Sequence, residues 1–285
     1  TFHSPVTRPP MSLRLVAHKE LRYALRTKTF WAVSTAFAVL VVGDAVLYTQ
    51  QSWVAGTTAD VVDEFSLTAS ALVPLVGLLV GYPAVVGERE SGSLQLLLGL
   101  PHTRRDVVAG KLLGRSLVVA LPLLASFAVA GVVVKWAYPA VSLLTFGLFA
   151  LSTLLLAVTF VAVAVGISAT TRTARRAGAA VIAVFVVARS LWGVLVNLLH
   201  YLKTGSASLV APYPAWTHFV ERLGPMGAFE GLTTLFLPAR ARVHLPGGAD
   251  PPAYLSPWVS LLVLVVWATI PLAVGYWRFE TADLA

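Results

Sequence analysis

The chain has 285 residues, 57% of them hydrophobic and 12% charged, where a soluble domain carries about a quarter charged residues. So much apolar surface cannot be covered in water by so little polar surface, and a bilayer resolves the mismatch. The net charge of +8 does not indicate nucleic acid, because Lys and Arg fall in short clusters between long apolar runs. Cys is absent, which excludes disulfide frameworks, Cys-ligated zinc and iron–sulfur clusters.

Residues 1–11, with Pro5, Pro9 and Pro10, lack a helical period and read as a disordered or misassigned extension ahead of a single transmembrane domain over 12–285. Residues 12–28 set Leu13, Val16, Leu21 and Leu25 among Arg14, Lys19, Arg22, Arg26 and Lys28. This is the pattern of a basic amphipathic helix lying in the headgroup plane, as a plain anchor or as an elbow gripping the bundle.

Roughly 20 apolar residues in a helix cross a hydrocarbon core of about 30 Å. Six runs meet that length, near 30–48, 67–86, 112–134, 141–169, 177–199 and 258–276. The first is too long for a secretory signal and is followed by no clear cleavage site. The expected fold is therefore an all-α integral membrane protein of about six transmembrane helices. Pro74, Pro83 and Pro122 remove backbone donors and predict kinks in the second and third spans.

Lys and Arg mark alternate loops: Arg89, Arg104, Arg105, Lys111 and Arg115 in the second gap, Arg172, Arg175 and Arg176 in the fourth, and Arg278 in the tail. The first loop carries Asp60, Asp63 and Glu64 instead, and the third only Lys135. Basic segments stay cytoplasmic, so the expected location is the cell membrane with both termini inside. The large loop 200–257 is then extracellular. In it Trp216, Phe219, Val220 and Leu223 recur at helical spacing, as do Met226, Phe229, Leu232 and Leu235, predicting two short amphipathic helices on the outer membrane face.

The region 88–106 is too charged at its start to span. Glu88, Arg89 and Glu90 precede a small, flexible Ser91-Gly92-Ser93, and the Leu-rich turn with Leu94, Leu97 and Leu98 ends at Gly99 and Pro101. That pattern makes a short helix whose exposed apolar face wants a protein partner, or else an ordinary loop helix packed on its own bundle. Thr103 and Asp106 mark a helix start, a weaker relative of the capping box, leading through Arg104 and Arg105 into the third span.

The run 87–115, GERESGSLQLLLGLPHTRRDVVAGKLLGR, resembles the signature cytoplasmic stretch of the ABC type-2 (exporter-type) permease family. The basic amphipathic start, six spans and large last external loop are similar too. Segments 216–225 and 256–280 resemble haloarchaeal members, and in length and layout the chain also resembles the branch serving maturation of the copper enzyme nitrous oxide reductase. The resemblance implies a permease subunit that exports a substrate the residues do not identify. It implies a coupling helix over 88–100, with Glu88, Arg89, Glu90, Gly92, Leu94, Leu97, Leu98 and Pro101 docking on an ABC ATPase subunit and Arg104 and Arg105 flanking the dock. It further implies a second permease copy, in a homodimer or heterodimer, and ATP and Mg held by the ATPase, with no cofactor on this chain. The residues agree on one point: no G-x-x-x-x-G-K-[ST] is present, since Gly110-Lys111 is followed by Leu112.

Two ionisable residues fall inside predicted spans, and a charge at mid-membrane costs roughly 2.5–3.5 kcal/mol on insertion scales. Asp44 lies towards the outer end of its span and either pairs with Arg189 or reaches the headgroups. Arg189 lies near the middle of its span, should face the bundle or dimer interior, and has Asn197 two turns further on. The six histidines are scattered without metal-ligand spacing, and with two Met residues and no Cys direct passage of copper ions is not expected. No catalytic constellation stands out. A secondary transporter driven by an ion gradient is the alternative, and it should show intramembrane acidic residues for coupling, of which Asp44 is thin support.

Overall fold

The computed structural model describes residues 26–51, 56–92, 104–205, 213–238, 240, 245 and 250–281. Six helices among them are long and apolar enough to cross a membrane, and no strand occurs among the described residues. With their short companions they are α1 (Lys28–Thr49), α2 (Thr58–Gly81), α3 (Val86–Glu90), α4 (Arg104–Ala137), α5 (Leu143–Thr170), α6 (Ala174–Thr204), α7 (Ala215–Arg222), α8 (Pro225–Thr233) and α9 (Pro257–Thr281). The long helices run up and down, giving the bundle a Glu88 end and an Asp63 end.

Polar side chains start these helices by taking up orphan backbone donors. Thr27 accepts from Phe30 N–H, Ser142 from Thr145 and Thr173 from Arg176. Thr57 and Asp60 form a reciprocal capping box at α2. Pro74 and Pro122 lie within continuous helices, whereas Pro83 sits in the turn that separates α2 from α3.

Burial follows the helical period. On α1, Phe30, Val33, Phe37, Val41, Ala45 and Tyr48 form one buried stripe, while Trp31, Val39, Leu40 and Leu47 stay exposed. A helix apolar on both faces suits a protein core on one side and lipid on the other. α2 and α5 are the most enclosed, and α1, α6 and α9 the least.

Small residues set the closest approaches, as expected where packing rather than water drives helix association. A Cβ on Gly81 would meet Ala164 Cβ at 2.6 Å, and one on Gly77 would meet Phe160 Cβ at 3.1 Å, so α2 lies tight against α5. Across α5 and α9, a Cβ on Gly275 would stand 2.5 Å from the Gly166 carbonyl oxygen.

At the Asp63 end Phe65, Phe127, Phe146, Phe149 and Phe229 form a chain of rings with centroids 5.4–6.4 Å apart. Phe229 belongs to α8 and is fully buried. The two short helices read from the 200–257 loop therefore exist, but α8 packs into the bundle rather than lying on its outer face. The physical reason is that its apolar side finds Phe149 and the α9 backbone, with Gly231 against Ser260.

Candidate functional site

Consecutive residues of a helix point about 100° apart, so Glu88, Arg89 and Glu90 reach out in different directions, to four neighbouring elements between them. Glu88 pairs with Lys111 of α4. Arg89 Nη1 donates to the Thr171 carbonyl at 2.6 Å, and its guanidinium carbon lies 6.0 Å from the centroid of Phe279 on α9. Glu90 Oε1 accepts the N–H of Ala174 at 2.7 Å, at the start of α6. Just before them, Ser168 Oγ on α5 accepts from the N–H groups of Val85 and Val86, each at 3.0 Å. The orphan donors of a short helix are thus satisfied by a neighbouring span.

This knot fastens α3 to α4, α5, α6 and α9 at one end of the bundle. The chain leaves it at Gly92, whose φ of +72° is a left-handed conformation that glycine adopts without steric cost. Leu94, Leu97, Leu98 and Pro101, the side chain of Arg104, and residues 12–25 of the amphipathic segment lie outside the described residues. Arg105 turns towards α9, its Nε donating to Tyr276 Oη at 2.8 Å.

At the opposite end a cleft of about 710 Å³ opens between α2, α6 and α8. Ala59, Asp63, Ser66 and Ser70 line it at helical spacing from α2, Arg189 and Trp192 from α6, and Met226 and Glu230 from α8. Arg189 occupies a π-helical turn, Val187–Leu191, inside α6, a local widening found often at functional sites. Arg240 pairs with Asp63 and donates Nη1 to Thr233 Oγ1 at 2.7 Å. Glu230 keeps an exposed side chain at the cleft, although protein crowds its carboxyl. Loss of water and then the charge of Glu221 hold its carboxyl above the ordinary range, against the pull of Arg240 and Arg189. The arrangement offers charges of both signs beside the apolar surfaces of Trp192 and Met226, a setting for a polar or amphiphilic solute.

Asp44 forms no ion pair with Arg189; it is half-buried, and Thr68 Oγ1 of α2 donates to its Oδ2 at 2.8 Å. Asn197 is exposed and does not line the Arg189 cleft. His200 is buried between Thr217, whose Oγ1 lies 3.3 Å from Nδ1, and the stacked ring of Trp216. Glu230 escaped notice in the sequence because a lone carboxylate in a short amphipathic helix looks like its solvated side.

A sequence profile of the ABC-2 family transporter proteins matches residues 14–284. The chain belongs to the ABC-2 family. Two curated relatives of this ABC-2 chain bear the description "Probable ABC transporter permease protein NosY". The one from Pseudomonas aeruginosa is 39% identical over 159 residues, covering 54% of this chain and 58% of the relative. The one from Stutzerimonas stutzeri is 39% identical over 155 residues, covering 52% and 56%. The chain thus spans somewhat over half the length of the curated relatives it matches. It is a multi-pass membrane protein of the ABC-2 family.

Proposed function

We propose that this chain is the permease subunit of an ABC transporter, moving its substrate with ATP hydrolysed by a separate subunit. The family match over residues 14–284 carries the reading. ATP and Mg stay on that ATPase, which the sequence implies by lacking a P-loop. The Glu88 end, rich in Arg and Lys, is the cytoplasmic one by the positive-inside rule, and the segment following Gly92 is the dock. Because Glu88, Arg89 and Glu90 bind four other helices, a push on that segment moves their ends together, and a second copy of the chain completes the pathway. The cleft beneath Arg189 opens at the far side and is the outer part of the route.

Co-expression with a separately encoded ABC ATPase tests this. The expected result is co-elution of the two chains and ATP hydrolysis that the permease stimulates in nanodiscs. Transport by the reconstituted chain with no ATPase present defeats the reading. Because the sequence has no Cys, single cysteines at Arg175 and Lys203 report orientation cleanly, with only Lys203→Cys expected to react from outside.

A further inference from the structure

We propose that the groove between the start of α4 and the end of α9 binds an anionic phospholipid. The groove holds about 360 Å³. Its walls are mostly apolar, with Val108, Ala109 and Leu112 on one helix and Leu272, Ala273 and Thr269 on the other, the Thr269 hydroxyl donating to the Val265 carbonyl of its own helix, and Arg105 and Tyr276 stand at its mouth. The helices run antiparallel here, so the groove extends about 10 Å from Arg105 to Leu112 at the α-helical rise. A groove of that length and character takes the upper part of an acyl chain, and its mouth takes a headgroup.

The mouth is organised for a phosphate. Arg105 Nε donates to Tyr276 Oη at 2.8 Å, and the guanidinium carbon lies 5.6 Å from that ring's centroid. This fixes the guanidinium plane while the side chain remains exposed, leaving the Nη pair as a fork that matches phosphate oxygens.

Depth agrees with the chemistry. Trp277 is exposed beside Tyr276, and Trp258 is exposed at the other end of the same helix. At the α-helical rise the two rings stand about 28 Å apart, close to the thickness of a hydrocarbon core. Aromatic rings settle at headgroup level, which puts Arg105 among the phosphates and Leu112 among the acyl chains. Arg278 adds a second exposed cation on α9, and Glu280 is the carboxylate whose charge acts on Arg105. Basic pockets between spans are known recognition sites for anionic headgroups.

The test uses the full chain in nanodiscs containing equal phosphatidylglycerol and phosphatidylcholine, with lipid retained after detergent extraction counted by native mass spectrometry. Wild type is expected to retain phosphatidylglycerol preferentially. Arg105→Gln should lower that retention about fivefold, the contribution of one cation at a charged membrane surface, and Glu280→Gln should raise it. Ala273 is exposed, so Ala273→Phe fills the groove without disturbing the core and should lose the lipid with Arg105 intact. This arm decides the matter if Arg105→Gln does not fold. Equal retention in Ala273→Phe and wild type overturns the proposal. So does indifference to headgroup charge, or a cross-link from position 273 to a second copy of the chain in place of lipid.

Discussion

The Glu90 carboxylate accepts the backbone N–H of Ala174 at 2.7 Å, so a residue that follows the second span caps the start of the fifth. A carboxylate at a helix N-terminus both fills an orphan donor and meets the positive end of the dipole. Glu90→Ala should cost about 1 kcal/mol, seen as a lower unfolding midpoint of the detergent-solubilised chain by tryptophan fluorescence. Glu90→Gln should lose less, because the amide oxygen still accepts. An unchanged midpoint in Glu90→Ala would remove this contact from the account of stability.

The backbones of α5 and α9 meet at Gly166 and Gly275 with no room for a side chain. Gly275→Val should overpack this crossing at a cost of about 1–3 kcal/mol and reduce monodisperse yield in size-exclusion chromatography. Gly147 has nothing within 4 Å of an added Cβ, and Gly147→Ala should elute like wild type. Equal yields from both variants would contradict the close approach.

Glu230 makes stability depend on pH in a definite direction. Its folded-state carboxyl lies above the ordinary value of 4.5 because burial disfavours the anion. The folded state therefore holds the proton more firmly than the unfolded chain. The contribution is complete below about 4.5 and is lost as pH rises through the higher folded value. Glu230→Gln should abolish this component, so the stability gap between the variant and wild type should widen with rising pH. Parallel curves of unfolding midpoint against pH would show that Glu230 titrates normally.

The docking role given to the segment after Gly92 makes a separable prediction at Leu97. On that role a charge at position 97 sits outside the bilayer and should leave membrane insertion and monodisperse yield intact. It should weaken ATPase binding, because an unpaired charge in an interface is costly and a buried Leu contributes roughly 1.5–3 kcal/mol. Leu97→Glu with poor yield but normal ATPase pull-down would place the segment against its own bundle instead.

The spans were legible because an apolar run of sufficient length has few other uses, but their ends were less so: 30–48 became Lys28–Thr49, whereas 67–86 became Thr58–Gly81 and 112–134 became Arg104–Ala137, the charged and polar first turns lying outside the apolar runs. The Gly77-xxx-Gly81 spacing was also open to reading as a close-packing signal. Gly166 and Gly275 were not, since each is a single glycine whose partner lies on another span. Long-range polar partners were equally hidden: nothing local joins Asp44 to Thr68, or Arg89 to Thr171. Helical periodicity marked α8 correctly, but it cannot distinguish a lipid surface from a protein core, and the core won at Phe229.

The widened turn around Arg189 also governs which sides of α6 meet the bundle. Ala177 and Val181 are buried near its start, and Val196 and His200 near its end. Stepping from Ala177 to His200 at about 100° per residue would set them about 140° apart on an unbroken α-helix. A π turn absorbs one residue's worth of that rotation and brings them back to within about 40° of each other at the same pitch. Within 187–191 the gene can shed a single codon and keep both ends of the helix seated, at the expense of Arg189's aim into the cleft. The same loss elsewhere along α6 would swing one end out of its socket.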